Sequence, residues 1–418
     1  MPLVSMNAVA QIVALTPEQR LIGKVLSADW TAGSKRLWED ALFLDIDWSR
    51  LFNLSGQYKI RPMMTAALRE AKWPGVPPDI RTAILFAERK CSQKALLQLS
   101  LLAKIISAAE DRKVRVITLK GVALSLRLYG DPFIRESFDL DFLVSPEDEQ
   151  NFEELLVEQG CAEVLRGPPL TPRQTAFLQR FHHDKKFRHG ESSLVVESHF
   201  LLSANRYLLG TDFDALWDAR ATVSLGNVKV AIPGDDDLIN YLGIHAARHD
   251  WDRWKWIADL VALYRKTSPE ELSRHRERAA RVGNQDLFDS WILIVSAIAG
   301  ASLPLPSVNR ASLNKRAVAM MKSAILFSSR EVTSANLSDS SSSFGRSVRR
   351  LKMKRSVRYL AVELLALFHR DDDWYALNLP DQMMWAYYFF RPISIVQRCW
   401  RSLFKPKNKE IKRLNSWL

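Results

Sequence analysis

The stretch Ile117–Asp148, ITLKGVALSLRLYGDPFIRESFDLDFLVSPED, decides how the chain is read. It opens inside a short β-branched strand, VRVITL at Val114–Leu119. GVALSLRLYG, Gly121–Gly130, follows as a helix ended by glycine, and SFDLDFLV, Ser137–Val144, is a second strand. On a strand, residues two apart leave from the same face, so Asp139 and Asp141 point together while Phe138, Leu140 and Phe142 point into a core. Two neighbouring carboxylates repel each other unless a cation neutralises them, and an unpaired buried charge is costly. A divalent metal meets both requirements, and hard oxygen donors suit Mg²⁺ or Mn²⁺.

Magnesium usually takes one or two protein carboxylates and completes its shell with water and substrate phosphates, so the pair also calls for a nucleoside triphosphate such as ATP. Two-metal phosphoryl transfer wants a third carboxylate on an adjacent strand. Glu197 is the candidate, a lone acid in the apolar run LVVESHF, behind a hairpin formed by HDKKFRH, a turn at GESS, and LVVESHFLL. The same acids have a plainer account, in which Asp139 pairs with Arg135 and Glu197 with a lysine of the hairpin.

Outward from this block the period changes. Residues 1–112 are helix-patterned, interrupted by turn chemistry at WPGVPPD, Trp73–Asp79. Residues 113–232 form a mixed α and β block ending in the strand VKVAI, Val228–Ile232. Residues 233–333 return to helix, beginning with a long amphipathic pattern in PGDDDLINYLGIHAARHDWDRWKWIADLVALYRK. Residues 334–346 are a Ser-rich linker, and 347–418 a basic, aromatic-rich segment. The expected class is α+β: a small mixed sheet flanked by N-terminal and C-terminal helical regions.

The 418 residues carry a formal net charge of +12, a field that attracts polyanions. Three cysteines, Cys91, Cys161 and Cys399, without paired Cys/His spacing, support neither a disulfide framework nor a zinc cluster, and a reducing cytoplasm fits them best. The first twenty residues lack the basic lead and long apolar run of a secretion signal. The most apolar run, MMWAYYFF at Met383–Phe390, stops at Arg391-Pro392, short of the roughly 20 residues of a spanning helix.

The central stretch resembles the uncharacterised nucleotidyltransferase family of the DNA polymerase beta superfamily: Lys-Gly, a helix ending in Tyr, then Arg and Asp-x-Asp-x-Leu-Val. The likeness continues through HHDKKF, VVESHF, LGIHAARHDWDRWKWIADL and LPDQMMWAYYFFRPISIV, roughly three-quarters of the chain. It implies a nucleotidyltransferase core in which Asp139, Asp141 and Glu197 are catalytic and hold metal, with triphosphate approaching the backbone at Gly121. The wider superfamily has Gly-Gly or Gly-Ser at this turn, where this chain has Lys120-Gly121-Val122, and Lys120 is placed to meet phosphate as a point charge.

Further candidates follow. Arg135 is suited to a bidentate phosphate contact or to orienting Asp139. His182, His183, His199 and His245 are candidates for positioning substrate. His245 and His249 share a helix face but lack a third ligand, so zinc is not expected there. The expected activity is Mg²⁺-dependent transfer of NMP from NTP to an acceptor the sequence does not name. The alternative is an inactive nucleotide-binding or scaffold protein. In either case residues 347–418 offer a contact for an anionic membrane surface or for nucleic acid, or pack on the protein itself.

Overall fold

The computed structural model describes residues 15–31, 34, 36, 38–164, 167, 171–178, 182–299, 315–329, 340–368, 379–387 and 389–390. The chain divides into two units. The first comprises residues 1–164 and 183–329, the second residues 165–182 and 330–418.

The first unit opens with helices α1 (Pro17–Leu26), α2 (Trp48–Gln57), α3 (Arg61–Glu70) and α4 (Pro78–Asp111). Thr16 closes a capping box with Gln19 at α1, and Asp47 caps α2 through the Arg50 amide. Pro77-Pro78 sets the start of α4, whose buried residues Leu101, Leu102, Ile105, Ile106 and Ala109 recur at helical spacing and make one apolar stripe.

The α and β block follows as β1 (Val116–Thr118), α5 (Gly121–Tyr129), β2 (Asp139–Val144), α6 (Glu149–Glu158), β3 (Cys161–Glu163), β4 (Asp184–His189) and β5 (Val195–His199). The five strands form one mixed sheet in the order β1-β2-β5-β4-β3. The β2–β5 pair is parallel and the others are antiparallel. After α7 (Phe213–Asp218), β6 (Ala221–Leu225) and β7 (Val228–Ile232) make a separate hairpin turned at Gly226. The sequence reading expects β7 but neither β3 nor β6, although a Gly-Asn pair between alternating residues is a hairpin signal.

Alternation along the strands assigns the two faces of the sheet. Leu140, Phe142 and Val144 of β2, Val196 of β5 and Phe187 of β4 join the stripe of α4 and Leu155 and Leu156 of α6 in one buried cluster. The opposite face carries Ile117 and Leu143 into a second, helix-built cluster. The same face carries Asp139, Asp141, Glu197 and His199. A one-residue slip of β2 would exchange these sets, so burial of Leu140 and Phe142 also fixes where the acids point. Phe138, expected in the core, lies just before β2 and is half-buried.

Beyond β7 come α8 (Asp235–Arg248), α9 (Lys255–Lys266), α10 (Pro269–Arg281), α11 (Gln285–Ala299) and α12 (Lys315–Ser328). What reads as one long helix from Asp235 is therefore two. The break holds Asp250 and Trp251 at φ 55° and 57°, and the Trp251 amide bonds back to the Ala246 carbonyl at 2.9 Å. Neither residue is a glycine, so no local signal announces this left-handed turn. It brings Trp251, Trp254 and Trp256 into the helical core, all at most 2% exposed.

In the second unit, helices at Pro172–Leu178, Ser340–Leu351 and Val357–Phe368 accompany a 3-10 turn at Asp381–Ala386. Gln174 donates to the Leu379 carbonyl at 2.7 Å, and Tyr387 packs with Phe177, Leu379 and Met384. The Ser-rich stretch, expected as a linker, is helical from Ser340, while residues 334–339 lie outside the described residues, as do the first fourteen residues and 391–418. Among the described residues no helix is long and apolar enough to cross a membrane.

Candidate functional site

The site forms where β2 and β5 run side by side. Their parallel register sets Asp139 opposite Val195 and Asp141 opposite Glu197. Across β5, Lys186 of β4 stands opposite Glu197. One transverse row of the sheet therefore carries two acids and a lysine on one face.

Asp141 is fully buried. Lys120 Nζ lies 3.2 Å from its Oδ1, and the His199 Nε2–H donates to the same oxygen at 3.2 Å. Among the described residues its Oδ2 has no hydrogen-bond partner. Burial pushes this carboxyl up, but Lys120 and His199 outweigh burial and hold it below the usual carboxylate range. Glu197 is also pushed up by burial, then brought down to about 2 by His199 and Lys186. Lys186 makes a short ion pair with it, and His199 Nε2 stands 3.5 Å from Glu197 Oε2. Burial lowers the His199 imidazole, but bonds to Asp141 and Glu197 raise it to about 9, so both acids stay ionised around a protonated ring.

The donor atoms of Asp141, Glu197 and His199 lie within 4.8 Å of one another, a grouping that could hold a metal ion. The two carboxylates offer hard oxygen donors of the kind a divalent cation takes, with Asp141 Oδ2 unpartnered among the described residues, and a cation bound there would displace the His199 proton or compete with Lys120 and Lys186. Asp139 stands outside that group of three, two residues before Asp141 on the same face and half-buried. Its carbonyl accepts from Gln98 Nε2 at 3.2 Å and Ser137 Oγ at 3.2 Å.

Gly121 opens α5 at φ +78°, and a Cβ there would come within 3.4 Å of the Asp139 carbonyl and Ser137 Oγ. The left-handed angle favours glycine here, while the space would admit a Cβ at ordinary contact distance. Lys120, the residue before it, is 11% exposed in its side chain, and its charge also acts on the Tyr241 hydroxyl of α8. Its ammonium is thus turned to Asp141.

Arg135 lies elsewhere. Its Nε donates to both oxygens of Asp259 of α9, at 2.9 and 3.0 Å, and Asp259 also accepts from Tyr129 at 3.1 Å. Arg135 and Asp259 are 3% and 0% exposed, and this buried trio ties α5 and the approach to β2 onto α9. The ion pair of Arg135 with Asp139 is replaced by one with an acid 124 residues away.

His183 meets His199 edge to face at 5.3 Å and lies 3.2 Å from Asp184, and burial keeps it well below the ordinary histidine value. His245 is packed among Tyr241, His249 and Trp256, and burial likewise keeps it neutral. His182 belongs to the second unit, where it is half-buried. The expected pairing of Glu197 with a lysine of the hairpin is made by Lys186, whereas Tyr241 and Gln98 were not singled out by spacing, because their roles come from helix docking.

A family model described as uncharacterised nucleotidyltransferase matches residues 45–300. The chain belongs to that family. Membership makes this nucleotidyltransferase a transferase in general terms, with a nucleotide as substrate, and the match takes in α2 through α11, including the whole five-stranded sheet. It ends short of LPDQMMWAYYFFRPISIV, so the C-terminal part of the expected likeness lies outside it. No curated protein and no solved structure matches the nucleotidyltransferase.

Proposed function

We propose that this protein transfers a nucleoside monophosphate from NTP to an acceptor, releasing pyrophosphate, with Mg²⁺ or Mn²⁺ held by Asp139, Asp141 and Glu197. The observation that carries this reading is the direct opposition of Asp141 and Glu197 on parallel strands, with Asp139 on the same face and Gly121 against its carbonyl. When bound, the metal would screen the triphosphate and lower the pKa of the acceptor.

The residues of the chain set the rest. An acceptor oxygen attacks the α-phosphorus, the bond to the bridging oxygen of the β-phosphate breaks, and the acceptor proton leaves to solvent. Glu197, held at about 2, is too weak a base at neutral pH to carry that proton, so it serves as an ionised oxygen donor. His199 holds both acids in place, and Lys120 keeps Asp141 charged despite full burial. Arg135 acts through Asp259 as a positioning residue. His183 and His245, both neutral, are proposed to accept or orient polar groups of a substrate.

A second reading has its own observation. Lys120, Lys186 and His199 already neutralise both acids, as a nucleotide-binding protein without turnover would require. Label transfer from α-labelled NTP, with pyrophosphate measured in parallel, separates the two. Metal-dependent label transfer that disappears in Asp141→Asn supports the enzyme, and transfer persisting in Asp139→Ala and Asp141→Asn defeats it. The basic segment from residue 347 is proposed to contact an anionic membrane surface or nucleic acid. Sedimentation with phosphatidylserine vesicles and with RNA would distinguish these, and absence from both pellets would reject the contact.

A further inference from the structure

Three lysines from three separate elements of the first unit gather on one aromatic ring. Lys59 Nζ lies 4.6 Å from the centroid of Phe138, Lys94 Nζ 4.4 Å and Lys255 Nζ 5.6 Å. Lys59 comes from the turn between α2 and α3, Lys94 from α4 and Lys255 from the first turn of α9. Phe138 is the residue before Asp139, and the Asp139 carboxylate acts on the ammonium groups of Lys94 and Lys255.

The convergence is built into the fold. Tyr58 and Trp254 stack face to face at 4.1 Å, and the Lys255 amide donates to the Tyr58 carbonyl at 3.1 Å, which sets Lys59 and Lys255 side by side. Lys59 takes a left-handed φ of 59°, a conformation that disfavours a side chain. On α4, Gln98 lies one turn beyond Lys94 and is fully buried, with its amide on the Asp139 carbonyl. That bond aligns Lys94 with Phe138.

The cluster is short of negative charge. Among the described residues none of the three lysines has a salt bridge, and Lys255, 6% exposed, donates only to the Glu136 carbonyl at 3.0 Å. Arg61, Arg253 and Arg135 add to the positive field, against the carboxylates of Glu136, Asp139 and Asp259. Like charges held together repel, and burial disfavours an ammonium, so Lys59, Lys94 and Lys255 all have lowered pKa values, Lys255 down to about 7. An arrangement that costs stability and stays uncompensated suits an anionic ligand of several charges.

We propose that Lys59, Lys94 and Lys255, on the ring of Phe138, form a polyphosphate site that receives the β- and γ-phosphates of the nucleotide. This deepens the nucleotidyl-transfer reading and rests on it only for the identity of the phosphate donor. With Lys120 turned to Asp141 and Arg135 to Asp259, these lysines are cations near Asp139 that can meet the leaving pyrophosphate.

The test is calorimetric binding of inorganic tripolyphosphate to the full chain without metal. The double variant Lys59→Ala/Lys94→Ala, in two half-buried side chains, should bind about tenfold more weakly or worse. A control losing the same charge at exposed positions, Lys104→Ala/Lys229→Ala, should bind like the wild type, and an equal loss in both variants would overturn the site. ATP should compete with tripolyphosphate for one site, whereas simultaneous binding would assign the lysines to a phosphorylated acceptor and overturn the proposal. Asp141→Asn should still bind tripolyphosphate. Binding lost only in the lysine double variant, in a wild type that transfers no label, would refute nucleotidyl transfer and leave the site standing. Label transfer with an unchanged KM for ATP in the double variant would do the reverse.

Discussion

Asp141 and Glu197 stand directly opposite each other on adjacent parallel strands, and a single histidine, His199, reaches both carboxylates. Neighbouring acids in a buried row would ordinarily share a proton. Here Lys120, Lys186 and His199 keep both ionised and already neutralise them, so a cation that entered the row would compete with these three partners.

Bound metal should stabilise the fold. Adding Mn²⁺ or Mg²⁺ to about a hundred times its dissociation constant should add about 2.7 kcal/mol, read as a rise in Tm. The rise should vanish in Asp141→Asn and Glu197→Gln. An equal rise in those variants would place the ion elsewhere.

Lys120→Ala should be strongly destabilising, because it leaves the Asp141 carboxylate buried with one cationic partner fewer. Breaking such a pair costs about 3–5 kcal/mol. Combining it with Asp141→Asn should recover much of the loss. Urea denaturation of both singles and the double closes this cycle, and additive losses would show that the two groups do not couple.

Arg135→Ala should also cost about 3–5 kcal/mol, since Asp259 would keep its buried charge without the guanidinium. A direct phosphate contact predicts a raised KM for NTP at unchanged Tm. The buried pair predicts the opposite: a lower Tm, with KM kept wherever the variant remains folded.

Lys255 should impose a pH dependence on stability. Its ordinary value is 10.5 and its value in the fold is about 7, so between these the unfolded chain binds the extra proton and stability rises with pH. The penalty is complete below about pH 7 and fades toward 10.5. Lys255→Met should accordingly raise Tm most at pH 6 and little at pH 10. A gain independent of pH would mean that the lysine is not buried as an ammonium.

Much of this was legible in the linear order of residues. The alternation in DLDFLV dictates that Asp139 and Asp141 leave one face of β2 while Leu140 and Phe142 leave the other, because the pleat repeats every two residues wherever the strand lies. The glycine that opens α5, the apolar stripe of α4 and the hairpin leading to Glu197 are local in the same sense, set by φ, helical period and turn chemistry. Tertiary structure alone decided the partners. Arg135 meets Asp259 rather than Asp139, His199 rather than Asp139 joins Asp141 and Glu197, and Lys59, Lys94 and Lys255 converge on Phe138. Charge attraction has no sequence period. Its partners follow from which helices dock on which face of the sheet, and that docking depends on burial of apolar surface distributed over the whole first unit.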